Sequence, residues 1–211
     1  MARPPEDLSL QQAMKLQERF SRIVSRRSNQ LGRIRLVTGL DSAYEGGQAF
    51  GAAVTLDYET MEPVETETAR EEMRFPYVPG FLAFREAPVV IAAAKKLKRH
   101  PDVYLVDGHG YAHPRRFGLA CHVGIALEAP TIGVAKSRLC GEVCGLKLKD
   151  RGKTIGAIVK RETGRPLHVS VGHKISLRDS VRIVSQCFRI RSKDPITLAH
   201  THANIMRRTA S

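Results

Sequence analysis

No apolar run in this 211-residue chain approaches the roughly 18 residues that a membrane-spanning helix needs. The opening residues, Met1-Ala2-Arg3-Pro4-Pro5-Glu6-Asp7, lack the apolar core of a secretory signal, so a cytosolic, cytoplasmic protein is expected. Cysteine is scarce: Cys121, Cys140, Cys144 and Cys187 form no Cys-x-x-Cys pair and fit no zinc template. Reduced thiols are expected there, although Cys140 and Cys144 are close enough in sequence to bridge within a loop. Repeats, low-complexity tracts and any linker between two cores are absent as well, which leaves one domain over residues 1–211, expected as a monomer. Acidic residues are in short supply: 21 Asp+Glu stand against 34 Lys+Arg, a net charge of +13. That excess suits a polyanionic partner, most simply nucleic acid, or else a solvated basic surface.

What is present reads as an α/β chain. Ser9 with Gln12 makes a capping-box pattern, and Leu10, Ala13, Leu16, Phe20, Ile23 and Val24 recur at helical spacing, which predicts a helix over residues 9–26. Three strands follow: residues 34–44, 48–57 beyond the Glu45-Gly46-Gly47 turn, and an alternating, edge-like run over 63–73. The segment Phe75-Pro76-Tyr77-Val78-Pro79-Gly80 must be a stiff loop, because its prolines fix φ and forbid ladder bonding. Residues 81–99 are helical in pattern, with Pro88 either in the first turn or at a kink. Buried strands are predicted over 103–106 and 131–134, with a helix over 117–127 between them. A late hairpin is expected over 155–159 and 167–171 around Glu162-Thr163-Gly164, and Ser176 and Pro195 open two last helices. Three antiparallel strands leading into parallel βα units resemble the ribonuclease H-like architecture: a mixed sheet flanked by helices.

The densest chemistry lies in Leu105-Val106-Asp107-Gly108-His109-Gly110-Tyr111-Ala112-His113-Pro114-Arg115-Arg116, where a buried strand ends in an acid, glycines, histidines and arginines. A carboxylate at the carboxyl end of a buried strand sits where open α/β sheets place their sites; the plainer reading of Asp107 is a turn or cap residue. Asp41 lies on the first predicted strand, and Glu86 near the start of the helix after the proline loop, where pairing with Arg85 or Lys95 is the simpler role. In a ribonuclease H-like order the first and fourth strands are neighbours, so Asp41 and Asp107 would face each other with Glu86 above them. Carboxylates without cysteine ligands select a hard cation such as Mg²⁺ or Mn²⁺, and such a site suits phosphodiester hydrolysis.

Five segments resemble the endonuclease V family, repair nucleases acting at deaminated bases. They are Gly39-Leu40-Asp41-Ser42-Ala43-Tyr44; the run from Phe75 through Tyr77, Gly80 and Leu82 to Glu86; the run from Asp107 to Ala120; Thr131-Ile132-Gly133-Val134-Ala135-Lys136; and Pro195-Ile196-Thr197-Leu198-Ala199-His200. The resemblance implies that Asp41 and Asp107 hold Mg²⁺, with Mn²⁺ as a substitute, and that Glu86 completes the acidic site directly or through water. It implies a catalytic role for His200 and places Lys136 near the scissile bond. The Tyr77 loop resembles the family's wedge, and Gly80, Leu82, Gly108 and Leu139 match positions lining a pocket for the extruded hypoxanthine. The expected reaction is Mg²⁺-dependent hydrolysis of the second phosphodiester bond 3′ to deoxyinosine in DNA. Inosine-containing RNA is the alternative substrate, and a non-catalytic nucleic-acid-binding module the alternative class. His113 and His122 are expected to support the loop, and His173 has no assigned role. His109 departs from the glutamine or other small polar residue expected there.

Overall fold

The computed structural model describes residues 8–28, 31–162, 164–189 and 193–210. The first seven residues, and Thr163 in the turn expected at Glu162-Thr163-Gly164, lie outside them.

Helix α1 (Leu10–Ser21) opens with the predicted capping box: the Ser9 hydroxyl accepts from the Gln12 amide, and the Gln12 side chain accepts from the Ser9 amide. It stops at Ser21, five residues before the expected end at Arg26. The next segment docks elsewhere, for the Ser25 amide donates to His173 Nδ1 at 3.2 Å instead of to a helical carbonyl.

Strands β1 (Leu36–Glu45), β2 (Gln48–Asp57) and β3 (Pro63–Glu72) form an antiparallel meander. Gly46 and Gly47 carry φ of +53° and +81° at the first turn, the left-handed pair that a two-residue hairpin requires. Helix α2 (Leu82–Ala94) holds Pro88 in its interior, past the first turn. Then β4 (Val103–Asp107), α3 (Leu119–Leu127) and β5 (Thr131–Ala135) supply the parallel part, β4 pairing with both β1 and β5. A hairpin of β6 (Glu142–Cys144) and β7 (Lys147–Asp150) was not expected; β8 (Lys153–Val159) and β9 (Leu167–His173) follow, then α4 (Leu177–Cys187) and α5 (Pro195–Thr209). The strands make one sheet in the order β3-β2-β1-β4-β5-β9-β8-β7-β6. Its β3-β2-β1-β4-β5 part is the ribonuclease H-like arrangement, with β3 at an edge as its polar alternation requires.

Alternation along the strands gives the sheet two apolar faces. Leu40, Ala53 and Val106 pack under α2 and α3, whereas Val37, Leu105 and Ile132 pack with Ile183 of α4 and Ala199 of α5. The register that sets Leu40 opposite Val106 brings the next residues together on adjacent parallel strands, Asp41 in the middle of β1 and Asp107 at the end of β4, on the face that α5 covers. The four cysteines are free thiols.

Candidate active site

Asp41 and Asp107 are each largely buried, their side chains 12% and 18% exposed. Helix α5 reaches this point because β1 carries glycine at position 39: a Cβ there would lie 2.0 Å from the Pro195 carbonyl oxygen. Asp194 caps α5 by accepting from the Thr197 amide, and Pro195 occupies the first turn, where its missing N–H costs nothing. One turn on, His200 Nδ1 lies 2.8 Å from Asp41 Oδ2, and the Asn204 amide nitrogen lies 3.2 Å from Nε2. An amide N–H donating to Nε2 makes Nδ1 the protonated nitrogen, so His200 donates to Asp41. On the other side Lys136, just past β5, pairs with Asp107 Oδ2 at 2.8 Å. Burial works against the charged ammonium, but the Asp107 carboxylate outweighs it and holds Lys136 above its usual range.

Glu86 comes to the same place from α2. Burial, partly offset by a hydrogen bond from Tyr44 and reinforced by Asp41 and Asp107, pushes its carboxyl up to about 7. Burial and the charge of Asp107 likewise push Asp41 up to about 6, against the bonds it accepts from Ser42 and His200. Tyr44 is held protonated by burial and by Glu86, and the Arg85 guanidinium lies over its ring at 5.1 Å. Of the two simpler partners expected for Glu86, Arg85 is the nearby one, yet its pull is weaker than the opposing effects.

The donor set is oxygen only and mutually repulsive, the electrostatic condition a hard divalent cation relieves. Among the described residues no three His, Cys, Asp or Glu side chains converge closely enough to enclose an ion unaided. That geometry suits a cation held through one or two carboxylates that keeps other oxygen ligands, as Mg²⁺ does.

Beside the acids lies a pocket of about 170 Å³, lined mostly by apolar groups of Tyr77, Gly80, Leu82, Gly108 and Leu139, with His109, His113, Gly118 and Leu119. A cavity of about 150 Å³ takes up benzene, so this one, open at its mouth, suits one flat aromatic group. Gly108 joins the two halves of the site, lining the pocket and following Asp107 in the chain. Its φ of +148° and the Leu119 side chain 3.3 Å from a Cβ built there leave little room for a side chain. Lys136 stands apart from this lining, at the acids. Tyr77 is 67% exposed at the pocket mouth, between Pro76 and Pro79.

The structure places both unsettled histidines of the loop. His109 lines the pocket, and burial together with His168 pushes its pKa down to about 4, so it is neutral at pH 7. His113 is also neutral, pushed to about 4 by burial and by Arg115. Its Nδ1 accepts from the Arg115 amide at 3.2 Å, which leaves Nε2–H to donate to the Gly80 carbonyl at 3.0 Å. His122 packs between the rings of Phe84 and Phe117. His173 anchors the segment after α1 through Ser25. A larger cleft of about 560 Å³, lined by Arg26, Arg27, Tyr111 and Thr154, contains none of the carboxylates. Residue types alone did not mark Tyr44, Asn204 or Gln17 as parts of this region. The i, i+4 spacing of His200 and Asn204 was the available signal for one of them.

The chain is similar to known proteins in sequence and in fold. The sequence model for "Endonuclease V" matches residues 17–203. Endonuclease V of Thermofilum pendens is 43% identical over 209 residues, covering 95% of this chain and 90% of that protein. The crystal structure of endonuclease V from Streptomyces avermitilis superposes with a TM-score of 0.88 at 32% identity, covering 100% of this chain and 99% of the other. Ciona intestinalis endonuclease V, solved in complex with a 24mer DNA containing an inosine followed by a ribo-adenosine, gives a TM-score of 0.83 at 26% identity, covering 93% and 96%. On the match of its sequence and of its whole fold, the chain belongs to the endonuclease V family.

Proposed function

We propose that this chain is a DNA repair endonuclease that captures a deaminated base, hypoxanthine of deoxyinosine, and hydrolyses the second phosphodiester bond 3′ to it, all within a single domain. The observation that carries the reading is the junction at Asp107-Gly108: a carboxylate paired with Lys136 on one side, a ring-sized apolar pocket on the other. Capture of a base in one compartment and hydrolysis in the next places the cut away from the lesion. The Ciona relative binds DNA containing inosine, which supports the same ligand here.

Asp41 and Asp107, with Glu86, are the residues to hold Mg²⁺, with Mn²⁺ as a substitute. Such a cation, when bound, supplies positive charge to the phosphate and makes water a stronger acid. His200, oriented by Asp41 and Asn204, is placed to move a proton through Nε2 once Asn204 gives way. Lys136 offers its ammonium to the developing charge on the phosphate or the leaving oxygen. Tyr77, stiffened by flanking prolines, stacks where the base has left; unstacking costs a few kcal/mol and least at a mispaired base, which favours lesions. Gly80, Leu82, Gly108 and Leu139 enclose the extruded base.

The test is an end-labelled duplex with one inosine, incubated with Mg²⁺. A nick at the second phosphodiester on the 3′ side is expected, lost on Asp107→Asn; no nick, or one that survives that change, overturns the reading. A parallel substrate with a ribonucleotide after the inosine, and an all-RNA one, measures the preference between DNA and RNA, which turns on contacts to the 2′-OH.

A further inference from the structure

Helix α1 carries a polar side chain where its apolar stripe meets the core. Ala13 and Gln17, one turn apart, are its two buried residues, and Gln17 is 0% exposed. A buried amide is unfavourable unless it is satisfied, and this one is satisfied completely. Its Nε2 donates to the Gly80 carbonyl at 3.0 Å and to the Phe117 carbonyl at 3.3 Å, and its Oε1 accepts from Arg115 Nε.

The Gly80 carbonyl is the centre of this knot. It also receives Arg115 Nη2 at 2.7 Å and His113 Nε2 at 3.0 Å, so three N–H donors from two segments, α1 and the loop after β4, meet one oxygen. Gly80 has φ of +80°, a left-handed conformation that ends the proline loop. The Arg115 guanidinium lies over the Phe81 ring at 4.2 Å and extends the clamp to the residue that caps α2. Gly80, His113 and Gly118, which follows Phe117, all line the ring-sized pocket. Gln17 therefore touches no ligand itself, yet it fixes the back of the pocket and the hinge of the Tyr77 loop.

We propose that Gln17 is a positioning residue for base capture: its amide holds the Gly80 carbonyl and Arg115 so that pocket wall and wedge loop are set before the base arrives. The proposal rests on the inosine-directed function above. It predicts an effect on capture and not on hydrolysis, because none of the knot's bonds goes to Asp41, Glu86 or Asp107. It also makes the amide's donor end the important one.

Two near-isosteric variants separate these claims. Gln17→Met keeps the volume and removes all three bonds. Gln17→Glu keeps an acceptor for Arg115 but turns oxygen toward two carbonyls. Both are measured against the wild type on an inosine duplex, at a temperature where circular dichroism shows each folded. Base extrusion is read separately from 2-aminopurine beside the inosine, with Ca²⁺ replacing Mg²⁺. With either variant, KM should rise about tenfold or more with kcat within about twofold, since each lost hydrogen bond is worth on the order of 1 kcal/mol, and the fluorescence rise on binding should shrink. A lowered melting temperature with unchanged KM and fluorescence makes Gln17 a packing residue only and overturns the proposal. Wild-type behaviour of Gln17→Glu overturns the role of the Gly80 anchor. If the wild type itself fails to nick inosine, the proposed function fails; if it nicks and the variants match it, only this inference does.

Discussion

Asp41 accepts from the Ser42 amide and from His200, both of which favour its charged form, yet burial and Asp107 win and push it up to about 6. Glu86 goes the same way, from its ordinary 4.5 to about 7, with burial the largest cause. A carboxyl whose pKa is raised on folding contributes stability that is fully present below its unfolded value and is lost as pH rises through the folded one. The cation-free protein should therefore lose about 3 kcal/mol from Glu86 alone as pH climbs from 4.5 through 7. Denaturant unfolding in EDTA across that range measures it. Glu86→Gln should flatten the slope and exceed the wild type in stability at alkaline pH, while nicking inosine DNA poorly; parallel stability curves for the two proteins would refute the coupling. His200 gives a second prediction at this scale. Removing a positioned proton carrier costs about 10²–10⁴-fold in rate, so His200→Ala should lower kcat on that order and leave inosine binding intact, as single-turnover and binding assays would show.

Elements bring these residues together through backbone contacts that forbid side chains. At Gly39 the Pro195 carbonyl approaches so closely that an added Cβ has nowhere to go. Gly39→Ala must lift the start of α5 from β1 and draw His200 off Asp41; overpacking of this kind costs about 1–3 kcal/mol. A lowered denaturant midpoint together with a lost nicking rate is expected, and a midpoint shift without loss of activity would show that α5 adjusts. For the proline loop, Tyr77→Ala should weaken binding of inosine duplex by about 1–3 kcal/mol, the worth of one stacked ring, with little change in melting temperature, since the ring is exposed.

The same contacts explain what the sequence made visible. Strands β1 to β5 and helices α2 and α3 were legible because buried apolar runs and their turn residues are local signals. Asp107 was legible because it stood where an apolar run ended, whereas Asp41 within its strand and Glu86 near a helix start became legible only together, through the strand order and the family resemblance. Hairpin β6–β7 was hidden by its charge: Lys147, Lys149 and Asp150 leave Leu148 as its one fully buried side chain. The early end of α1 and the tie from Gln17 to Gly80 depend on partners 148 and 63 residues away, which no periodicity encodes.

For the whole molecule, the proposed function calls on two kinds of recognition that differ in physical range. The net charge of +13 acts on any phosphate backbone, lesion or not. In the proposed function selection falls to the apolar pocket lined by Gly80 and Gly108, beside histidines held neutral by burial. Counterion release makes the first term fall steeply with salt, whereas short-range contacts in an enclosed pocket are little screened. Affinity for undamaged and inosine duplexes should therefore fall together, by about a hundredfold or more between 50 and 200 mM salt if several phosphates are contacted. The ratio of the two affinities should stay nearly constant. Titrations of both duplexes at several salt concentrations, with Ca²⁺ in place of Mg²⁺, decide it: parallel lines on a log–log plot are expected. Lines that converge as salt rises would mean that long-range charge, and not the pocket beside Asp107, distinguishes the lesion.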